Sequence, residues 1–236
     1  MAQPTLHIVM PVLNEAAGIT ATLGQLQPLL ARGARLVVAD GGSSDGTRDL
    51  VHAFAARRSG VQWLDAPRGR ARQMNAGAQV SVDAGGETPL LFLHADTALP
   101  SDADSLIATA LADGRHHWGR FDVAIQGRHW LLPVIAFFMN RRSRASGIAT
   151  GDQALFMTRA AFEAVRGFPD QPLMEDIEIS ARLKRLTPPA CLRARARTSG
   201  RRWETHGVWR TVLLMWRLRL AYWRGVPAAQ LAERYR

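Results

Sequence analysis

The chain has few cysteines, few lysines and no long apolar run, and each of these scarcities excludes some classes of protein. It has one cysteine, Cys191, so no disulfide can form within it, which is typical of reducing compartments. Its longest apolar run, from Trp130 to Met139, contains Pro133 and is shorter than the roughly 20 residues that span a bilayer. The first residues lack the basic and apolar pattern of a secretory signal. We therefore expect a cytoplasmic protein, with peripheral binding at the inner face of the membrane left open.

Lysine is almost absent as well. Lys184 is the only one, so arginine supplies almost all of the positive charge behind the net charge of +10. Such an excess favours anionic partners, namely phosphates, nucleic acid or acidic membrane surfaces. A compositional bias toward solvated arginines explains the charge equally well, so the positions of particular arginines carry more information than their number.

The order of apolar segments predicts the fold class. A chain of 236 residues, 47% of them hydrophobic, suits one domain with a full core. Short apolar strands at His7–Val12, Leu36–Ala39, Val61–Leu64 and Leu90–Leu93 alternate with segments of helical periodicity. This pattern predicts an α/β fold with a mostly parallel sheet covered on both faces. Further along, apolar and other residues alternate around Val123, as in a half-exposed strand, and Thr158 is placed to cap a helix.

Polar groups follow three of these strands. They are Pro11-Val12-Leu13-Asn14-Glu15, the segment from Asp40 to Thr47, and His94-Ala95-Asp96. Ligands of open parallel sheets bind beyond the carboxyl ends of the strands, so we expect these groups to converge on one crevice. Asp40 is suited to accept from a base or ribose, Gly41 to let the backbone approach a ligand, and Asp96 to hold a divalent cation against a diphosphate.

Simpler interpretations stay open for the same residues. Ser44 or Asp45 can cap the helix that follows, and Asp96 can cap the helix after Pro100. Several other classes of site find no support. The sequence has no G-x-G-x-x-G after the first strand, no lysine beside a glycine loop, no H-E-x-x-H and no C-x-x-C.

Taken in order, the motifs resemble family 2 glycosyltransferases of the GT-A fold. The first two strand-end segments are similar to the opening of that family, Arg70 to Gly77 to its segment before the metal motif, and Glu175-Asp176 to its later acidic pair. Phe92 to Asp96 stands where the family has D-x-D, but His94 replaces the first acid. The segments Gly151-Asp152-Gln153 and Arg201-Arg202-Trp203-Glu204 are closest to a small bacterial subfamily associated with radical-SAM neighbours and arsenosugar biosynthesis.

The resemblance implies a single GT-A domain over 1–236. Residues 1–115 would form a Rossmann-like nucleotide-sugar half, 116–205 a smaller acceptor half, and 206–236 a C-terminal amphipathic helical segment. It also implies an inverting transfer of a sugar from a nucleoside-diphosphate sugar to an acceptor hydroxyl, with Mg²⁺ or Mn²⁺ as cofactor and no role for nucleic acid. Processive synthases are disfavoured because Ser199 replaces the glutamine of their Q-x-x-R-W motif.

The resemblance also assigns residue roles. Asp176 is expected to be the general base and Asp96 the metal ligand. Expected donor contacts are Pro11, Asn14, Glu15, Asp40, Gly41, Arg70, Arg72, Asn75, Ala95, Asp96 and Arg202. Expected acceptor contacts are Gly151, Asp152, Gln153, Glu175 and Trp203. Any of the arginines can instead be a solvated surface residue, and Asp176 can simply stabilise a helix N-terminus.

Near the C-terminus, tryptophan and leucine recur on one helical face. The stripe consists of Trp209, Leu213, Trp216, Leu220 and Trp223, with arginines beside it. It suits packing on the domain, a membrane surface or a homodimer seam, and the sequence does not separate these three. Two other functions also stay open: a sugar nucleotidyltransferase, although its glycine-rich loop is lacking, and a basic nucleotide- or membrane-binding protein without transferase activity.

Overall fold

The computed structural model describes residues 6–80 and 88–235. The segment Met1–Thr5, considered above for a secretory signal, lies outside these ranges, as does Arg236. The strands are β1 (His7–Val12), β2 (Arg35–Asp40), β3 (Val61–Asp65), β4 (Leu90–Phe92), β5 (Thr97–Ala98), β6 (Trp118–Gln126), β7 (Leu155–Met157) and β8 (Ala190–Ser199). The helices are α1 (Ile19–Ala31), α2 (Thr47–Ala55), α3 (Arg70–Gln79), α4 (Ala103–Leu111), α5 (Leu132–Ser146), α6 (Arg159–Ala164), α7 (Glu175–Leu183), α8 (Arg201–His206), α9 (Val208–Trp223) and α10 (Ala228–Tyr235), with a 3₁₀ turn at Gly151–Gln153.

One eight-stranded sheet runs through the molecule in the order β3-β2-β1-β4-β7-β6-β8-β5. The first four strands are parallel, β7 is antiparallel to both of its neighbours, β6 and β8 are parallel, and β5 is antiparallel to β8. The predicted α/β class and mostly parallel sheet are confirmed. Because the carboxyl ends of β1, β2 and β4 lie at one edge, the three predicted polar segments emerge on the same side.

Side-chain alternation along the strands builds two apolar layers. In β1, Ile8 and Met10 join one buried cluster with α1, while Val9 joins a second cluster with α3 on the opposite face. In β4, Leu91 belongs to the first cluster and Phe92 to the second. Successive residues of a strand point to opposite faces, so strands that are apolar throughout are covered on both sides.

The second half follows the predicted pattern with small differences. The alternating segment is β6, where Val123 is 1% exposed. Ala154 has φ 47°, so it lies outside the strand that begins at the next residue, Leu155. Thr158 caps α6 as expected, because its hydroxyl accepts from the backbone N–H of Ala161, and Gly167 follows the helix with φ 65°.

The structure distinguishes between the helix-capping interpretations of Asp45 and Asp96. Asp45 holds the start of α2, because its Oδ1 accepts from the backbone N–H of Thr47 at 3.1 Å, although Gly46 lies between them. Asp96 does not cap the helix after Pro100. That helix, α4, begins at Ala103, and Asp96 instead precedes the short strand β5.

The C-terminal stripe lies on α9 and faces outward. Its five members are 46% to 83% exposed. The stripe is therefore not packed against the domain formed by residues 6–80 and 88–235. Helix α9 runs beside α5, because Leu132 and Ala136 of α5 share a buried cluster with Val208. Its other half packs through Leu218 against Met174 just before α7. None of the helices in these ranges is both long enough and apolar enough to cross a bilayer.

Candidate active site

The loops after β1 and β2 interlock. The backbone N–H of Asn14 donates to Ser43 Oγ at 2.9 Å, and Asn14 Oδ1 accepts from the N–H of Ser44 at the same distance. The N–H of Glu15 donates to Thr47 Oγ1 at 2.9 Å. Asn14 has φ 56°, in the left-handed region that asparagine tolerates better than most residues. These bonds fix one wall of the crevice and use the Asn14 side chain to do so.

Asp40 is 4% exposed and holds the turn that follows β2. Its carboxylate accepts from the backbone N–H groups of Gly42 and Ser43 and from the Ser43 hydroxyl. Pro11 lies within β1, opposite Ala39 of β2. The carboxylate expected to contact a nucleotide is therefore already engaged by backbone donors, which fixes its orientation at the strand end.

The polar residue Gln73 was missed by the sequence reasoning. It is 4% exposed, and its Nε2 donates to the carbonyls of Val12 and Ala39, each at 2.7 Å, so it ties together the ends of β1 and β2. A Cβ added to Gly41 would lie 3.1 Å from the Gln73 side chain, so glycine is the residue that fits this approach. No local pattern distinguishes Gln73 from other polar residues of α3.

The third strand end carries Asp96, whose side chain is exposed, after Ala95, which is buried. Burial raises the pKa of Glu15, and the negative charge of Asp96 raises it further, so these two carboxylates face the same space. Across the described ranges, no group of three or more His, Cys, Asp or Glu side chains is arranged to bind a metal by itself. The protein thus offers oxygen ligands here without a complete metal site.

A short segment links this strand end to the second half. His94 Nδ1 lies 3.4 Å from Asp152 Oδ1, and a Cβ added to Gly151 would overlap the His94 ring. Although burial alone would raise the pKa of Asp152, the hydrogen bond from His94 and the nearby Arg70 and Arg202 lower it. The histidine that replaces the first acid of the D-x-D pattern therefore packs against the 3₁₀ turn and pairs with its carboxylate.

The acidic pair begins α7. The backbone N–H groups of Gly151 and Ile177 donate to the two oxygens of Asp176, each at 2.8 Å. Burial raises the pKa of Asp176, and the adjacent Glu175 carboxylate adds to the rise. Glu175 is 3% exposed, and its Oε1 lies 3.2 Å from Arg70 Nη1. One carboxylate is thus neutralised by an arginine, while the other is oriented by backbone donors and made more basic.

Arg202 contacts Tyr235, a residue that no sequence motif indicates. Its guanidinium stacks on the ring of Tyr235 in α10, 3.7 Å from the ring centroid. Burial raises the pKa of Tyr235, and its ring lies close enough to Asp152 and Asp176 for their charges to raise it further. The last described helix therefore reaches the side of the crevice that holds the acidic pair.

Two residues that were predicted to contact the donor, Arg72 and Asn75, instead form hydrogen bonds with the segment before α7. Arg72 makes two hydrogen bonds to Asp170, at 2.7 and 2.9 Å, between exposed side chains. The Asn75 amide makes a reciprocal pair with the backbone of Phe168, donating to its carbonyl at 2.8 Å and accepting from its N–H at 2.9 Å. Both residues attach α3 to the segment before α7 and are not brought to the strand ends.

Two predicted acceptor contacts are also turned away from the crevice. Gln153 is fully buried, where its Oε1 accepts from the Thr150 N–H at 3.2 Å and its Nε2 lies 3.3 Å from Asn140 Oδ1. Trp203 packs against the apolar cluster shared by α5 and α9.

The family comparison fits this geometry. The model of the family described as "Glycosyl transferase family 2" matches residues 7–166. The chain belongs to this family. The match covers β1 to β4, the D-x-D position and the 3₁₀ turn, and it stops before the acidic pair of α7.

Curated relatives share this segment over part of their length. The chain is 38% identical over 191 residues to the succinoglycan biosynthesis protein ExoA of Rhizobium meliloti (strain 1021), covering 75% of this chain and 57% of that protein. It is 36% identical over 118 residues to a PGL/p-HBAD biosynthesis glycosyltransferase of Mycobacterium bovis (strain BCG / Pasteur 1173P2), covering 49% of this chain and 44% of that protein. The chain thus spans about half the length of these relatives.

Solved structures confirm the GT-A fold. The mannosyltransferase PcManGT from Pyrobaculum calidifontis, solved with GDP-Man and Mn²⁺, gives a TM-score of 0.62 at 19% identity, over 83% of this chain and 56% of that one. TarS 1-349 from S. aureus, solved with UDP-GlcNAc, gives 0.63 at 14% identity, over 83% of this chain and 58% of that one. At these identities the likeness establishes the fold.

Proposed function

We propose that the protein is an inverting glycosyltransferase that moves a sugar from a nucleoside-diphosphate sugar to an acceptor hydroxyl. One observation carries this proposal. Gly151 donates to Asp176, while the next residue, Asp152, contacts His94, two positions before Asp96. A basic carboxylate therefore lies one short segment away from the strand end that is suited to a diphosphate. A binding protein without transferase activity does not require this juxtaposition.

In the proposed reaction the acceptor hydroxyl oxygen attacks the anomeric carbon. The new oxygen–carbon bond forms as the bond between the anomeric carbon and the phosphate oxygen breaks, and the nucleoside diphosphate leaves. The hydroxyl proton passes to Asp176, a general-base contribution that is typically worth about 10²–10⁴-fold. Arg70, which already pairs with Glu175, retains guanidinium N–H groups for the leaving phosphates.

The donor half supports a nucleotide through backbone and carboxylate groups. The interlocked loops of Asn14 and Ser43 and the oriented Asp40 line the ends of β1 and β2. PcManGT and TarS have been solved with GDP-Man and UDP-GlcNAc, respectively, and this chain shares their fold. We accordingly propose a nucleoside-diphosphate sugar as donor, within the predicted half 1–115, and an acceptor within 116–205.

A nucleotide-binding measurement tests this function. UDP or GDP should raise the melting temperature of the wild type by mass action. Asp40→Ala should weaken binding about tenfold or more, because the lost group makes charge-assisted hydrogen bonds. Titration calorimetry well below the melting temperature separates affinity from the stability that the turn loses. Asp49→Ala removes an exposed carboxylate from α2 and serves as control. Equal affinities in the wild type and Asp40→Ala would remove Asp40 from the site.

A divalent cation fits the donor set at this strand end. Mg²⁺ and related hard cations are commonly held by one or two carboxylates together with substrate phosphates, and Asp96 with Glu15 nearby supplies that number of carboxylates. When bound, the cation would neutralise charge on the leaving diphosphate. Asp96 would hold it, and Glu15 would orient ligands around it.

Metal dependence follows as a prediction. Mn²⁺ should raise the melting temperature of the wild type further in the presence of UDP or GDP, and Asp96→Asn should abolish that increment. Donor turnover should fall to background in excess chelator and return when Mn²⁺ is added. Asp102→Asn, an exposed acid beyond β5, is the matched control. Full turnover in chelator would show that the reaction needs no metal.

The membrane contact is proposed from exposed apolar side chains of α5, of the segment just before it and of α9, which together are called the aromatic face. Its members are Trp130, Phe137, Phe138, Trp209, Leu213, Trp216, Leu220 and Trp223, and they are 46% to 83% exposed. Exposed arginines flank it, namely Arg128, Arg141, Arg210, Arg217 and Arg224. Aromatic side chains beside arginines are typical of helices that lie in a bilayer interface.

Charge favours an anionic bilayer over a second copy of the chain. Neither α5 nor α9 contains an acidic residue. A two-fold contact through the aromatic face would bring like-charged arginines together, whereas anionic headgroups attract them. We propose peripheral attachment to an anionic membrane surface on this basis. The closer resemblance to the arsenosugar-associated subfamily stays a prediction, since neither the family match nor the relatives described above indicate it.

A further inference from the structure

Two arginines on the inner sides of α5 and α9 are not used by the proposed reaction. Arg142 lies on α5, and its Nε and Nη2 atoms are buried without a hydrogen-bond acceptor among residues 6–80 and 88–235. Nε and Nη2 form one edge of the guanidinium fork, the edge that binds two oxygens of a carboxylate or phosphate at once. A buried cationic edge without an acceptor is costly, so we expect this edge to bind an anion from outside the described residues.

Arg219 lies on the neighbouring helix and is half-buried. Helices α5 and α9 share a buried apolar cluster near their first turns, which includes Leu132 and Val208. Leu218, the residue before Arg219, shares a second buried cluster with Met174, two residues before Asp176. Arg219 therefore lies near the proposed general base.

The charges of Arg219 and Asp176 both act on Arg142, so the three groups lie close to one another. Burial and the positive charge of Arg219 together lower the pKa of Arg142 to about 10, while the Asp176 carboxylate opposes that change. Burial also lowers the pKa of Arg219, while the Asp176 carboxylate opposes that change. Both groups remain charged at neutral pH, and their mutual repulsion is relieved when an anion binds between them.

A groove of about 540 Å³ lies beside Arg142. It runs along α5 and is lined by Phe138, Arg141, Arg142, Arg144 and Ala145. Phe138 belongs to the aromatic face and is 64% exposed. A molecule held at that face would thus reach Arg142 along the same helix.

We propose that Arg142 and Arg219 form a phosphate-binding subsite for the acceptor, adjacent to Asp176. This proposal rests on the transferase function described above and specifies its acceptor as a molecule that carries a phosphate group near the reacting hydroxyl. The phosphate group of the acceptor can belong to a lipid at the bilayer surface or to a soluble phosphate ester. The groove beginning at Phe138 suits the first, and the experiment separates them.

The test uses the full chain with the donor site filled by UDP or GDP. Inorganic phosphate is titrated by calorimetry. In a second arm, binding is measured to phosphatidylcholine vesicles containing phosphatidic acid or, at matched surface charge, phosphatidylglycerol. Arg142→Gln and Arg219→Gln should each weaken phosphate binding about tenfold or more, since each removes charge-assisted hydrogen bonds. Arg185→Gln, which removes an exposed arginine just after α7, should change phosphate binding less than about twofold.

The outcomes are distinct. Preference of the wild type for phosphatidic acid, lost in Arg142→Gln, supports the lipid source, whereas arginine-dependent binding of inorganic phosphate without any vesicle preference supports the soluble source. Equal affinities in the wild type and both inner-side variants overturn the subsite. Loss of nucleotide binding in these variants also overturns it, by assigning the arginines to the donor. If the wild type binds phosphate through Arg142 but binds no nucleotide even with Mn²⁺, the transferase proposal fails while the anion site stands.

Discussion

Asp176→Asn should lower turnover by about two orders of magnitude or more, because the amide cannot take the acceptor proton. Affinity for UDP or GDP should stay within about twofold of the wild type, since donor contacts lie at the strand ends. Asparagine retains one acceptor oxygen, so either Gly151 or Ile177 loses its hydrogen bond, at a cost of about 1–3 kcal/mol in stability. Single-turnover kinetics below the melting temperature measure the effect on chemistry alone.

The pH profile gives an independent check of this assignment. The proposed mechanism requires the ionised Asp176, so the rate should fall as the pH drops through the raised pKa of that group. Glu178→Gln, on the same helix and paired with Arg182, is the matched control and should retain most of its activity. A large loss in Glu175→Gln with near-normal turnover in Asp176→Asn would move the base to Glu175. If neither change slows transfer, the catalytic interpretation of α7 fails.

Wild-type protein should float with vesicles that contain phosphatidylglycerol at low salt, and Trp216→Ser combined with Trp223→Ser should weaken that binding more than about a hundredfold. These two side chains are 75% and 83% exposed. Transfer of half of an aromatic side chain of about 200 Å² out of water contributes about 2–3 kcal/mol at about 25 cal/mol per Å². Removal of both tryptophan side chains should therefore lower the affinity for vesicles strongly. Flotation at a series of lipid concentrations measures that affinity.

The control for this change lies outside the aromatic face. Leu50→Ser combined with Leu186→Ser removes two other exposed apolar side chains and should leave flotation unchanged. Binding by the wild type should weaken as salt rises, because the flanking arginines are screened. A dimer in size-exclusion chromatography that Trp216→Ser dissociates, without any flotation, would show that the face binds a second copy. Flotation that survives the double tryptophan variant would show that another surface binds lipid.

Much of the N-terminal half of the fold was predictable because its signals are local. Apolar runs ending in polar segments located β1, β2 and β4, and parallel pairing brought their ends together. The cap at Thr158 was predictable for the same reason, since it depends on residues three positions apart. The stripe on α9 was also recognised as one helical face, but its exposure depends on which surfaces the rest of the chain covers.

The contacts that escaped prediction join distant positions. Gln73 reaches carbonyls 61 and 34 residues earlier in the chain. Arg142 and Arg219 belong to different helices and lie close enough for the charge of one to act on the other, and Tyr235 contacts Arg202 through the position of α10. A polar side chain has no periodic pattern that reveals such a partner. The same limit applies to Asn75 and Arg72, whose motif indicates the donor while their side chains bond to the segment before α7.

The continuity of the sheet constrains how substrates enter and leave. Strand β7 bonds to β4 on one side and to β6 on the other, and β8 bonds to β5, which follows directly after the strand-end segment of Asp96. A hinge rotation between the two halves would break these backbone ladders. Opening must therefore come from connecting segments and from side chains such as Arg202 and Tyr235, so the rate of product release should depend on α10 more than on any rotation between halves.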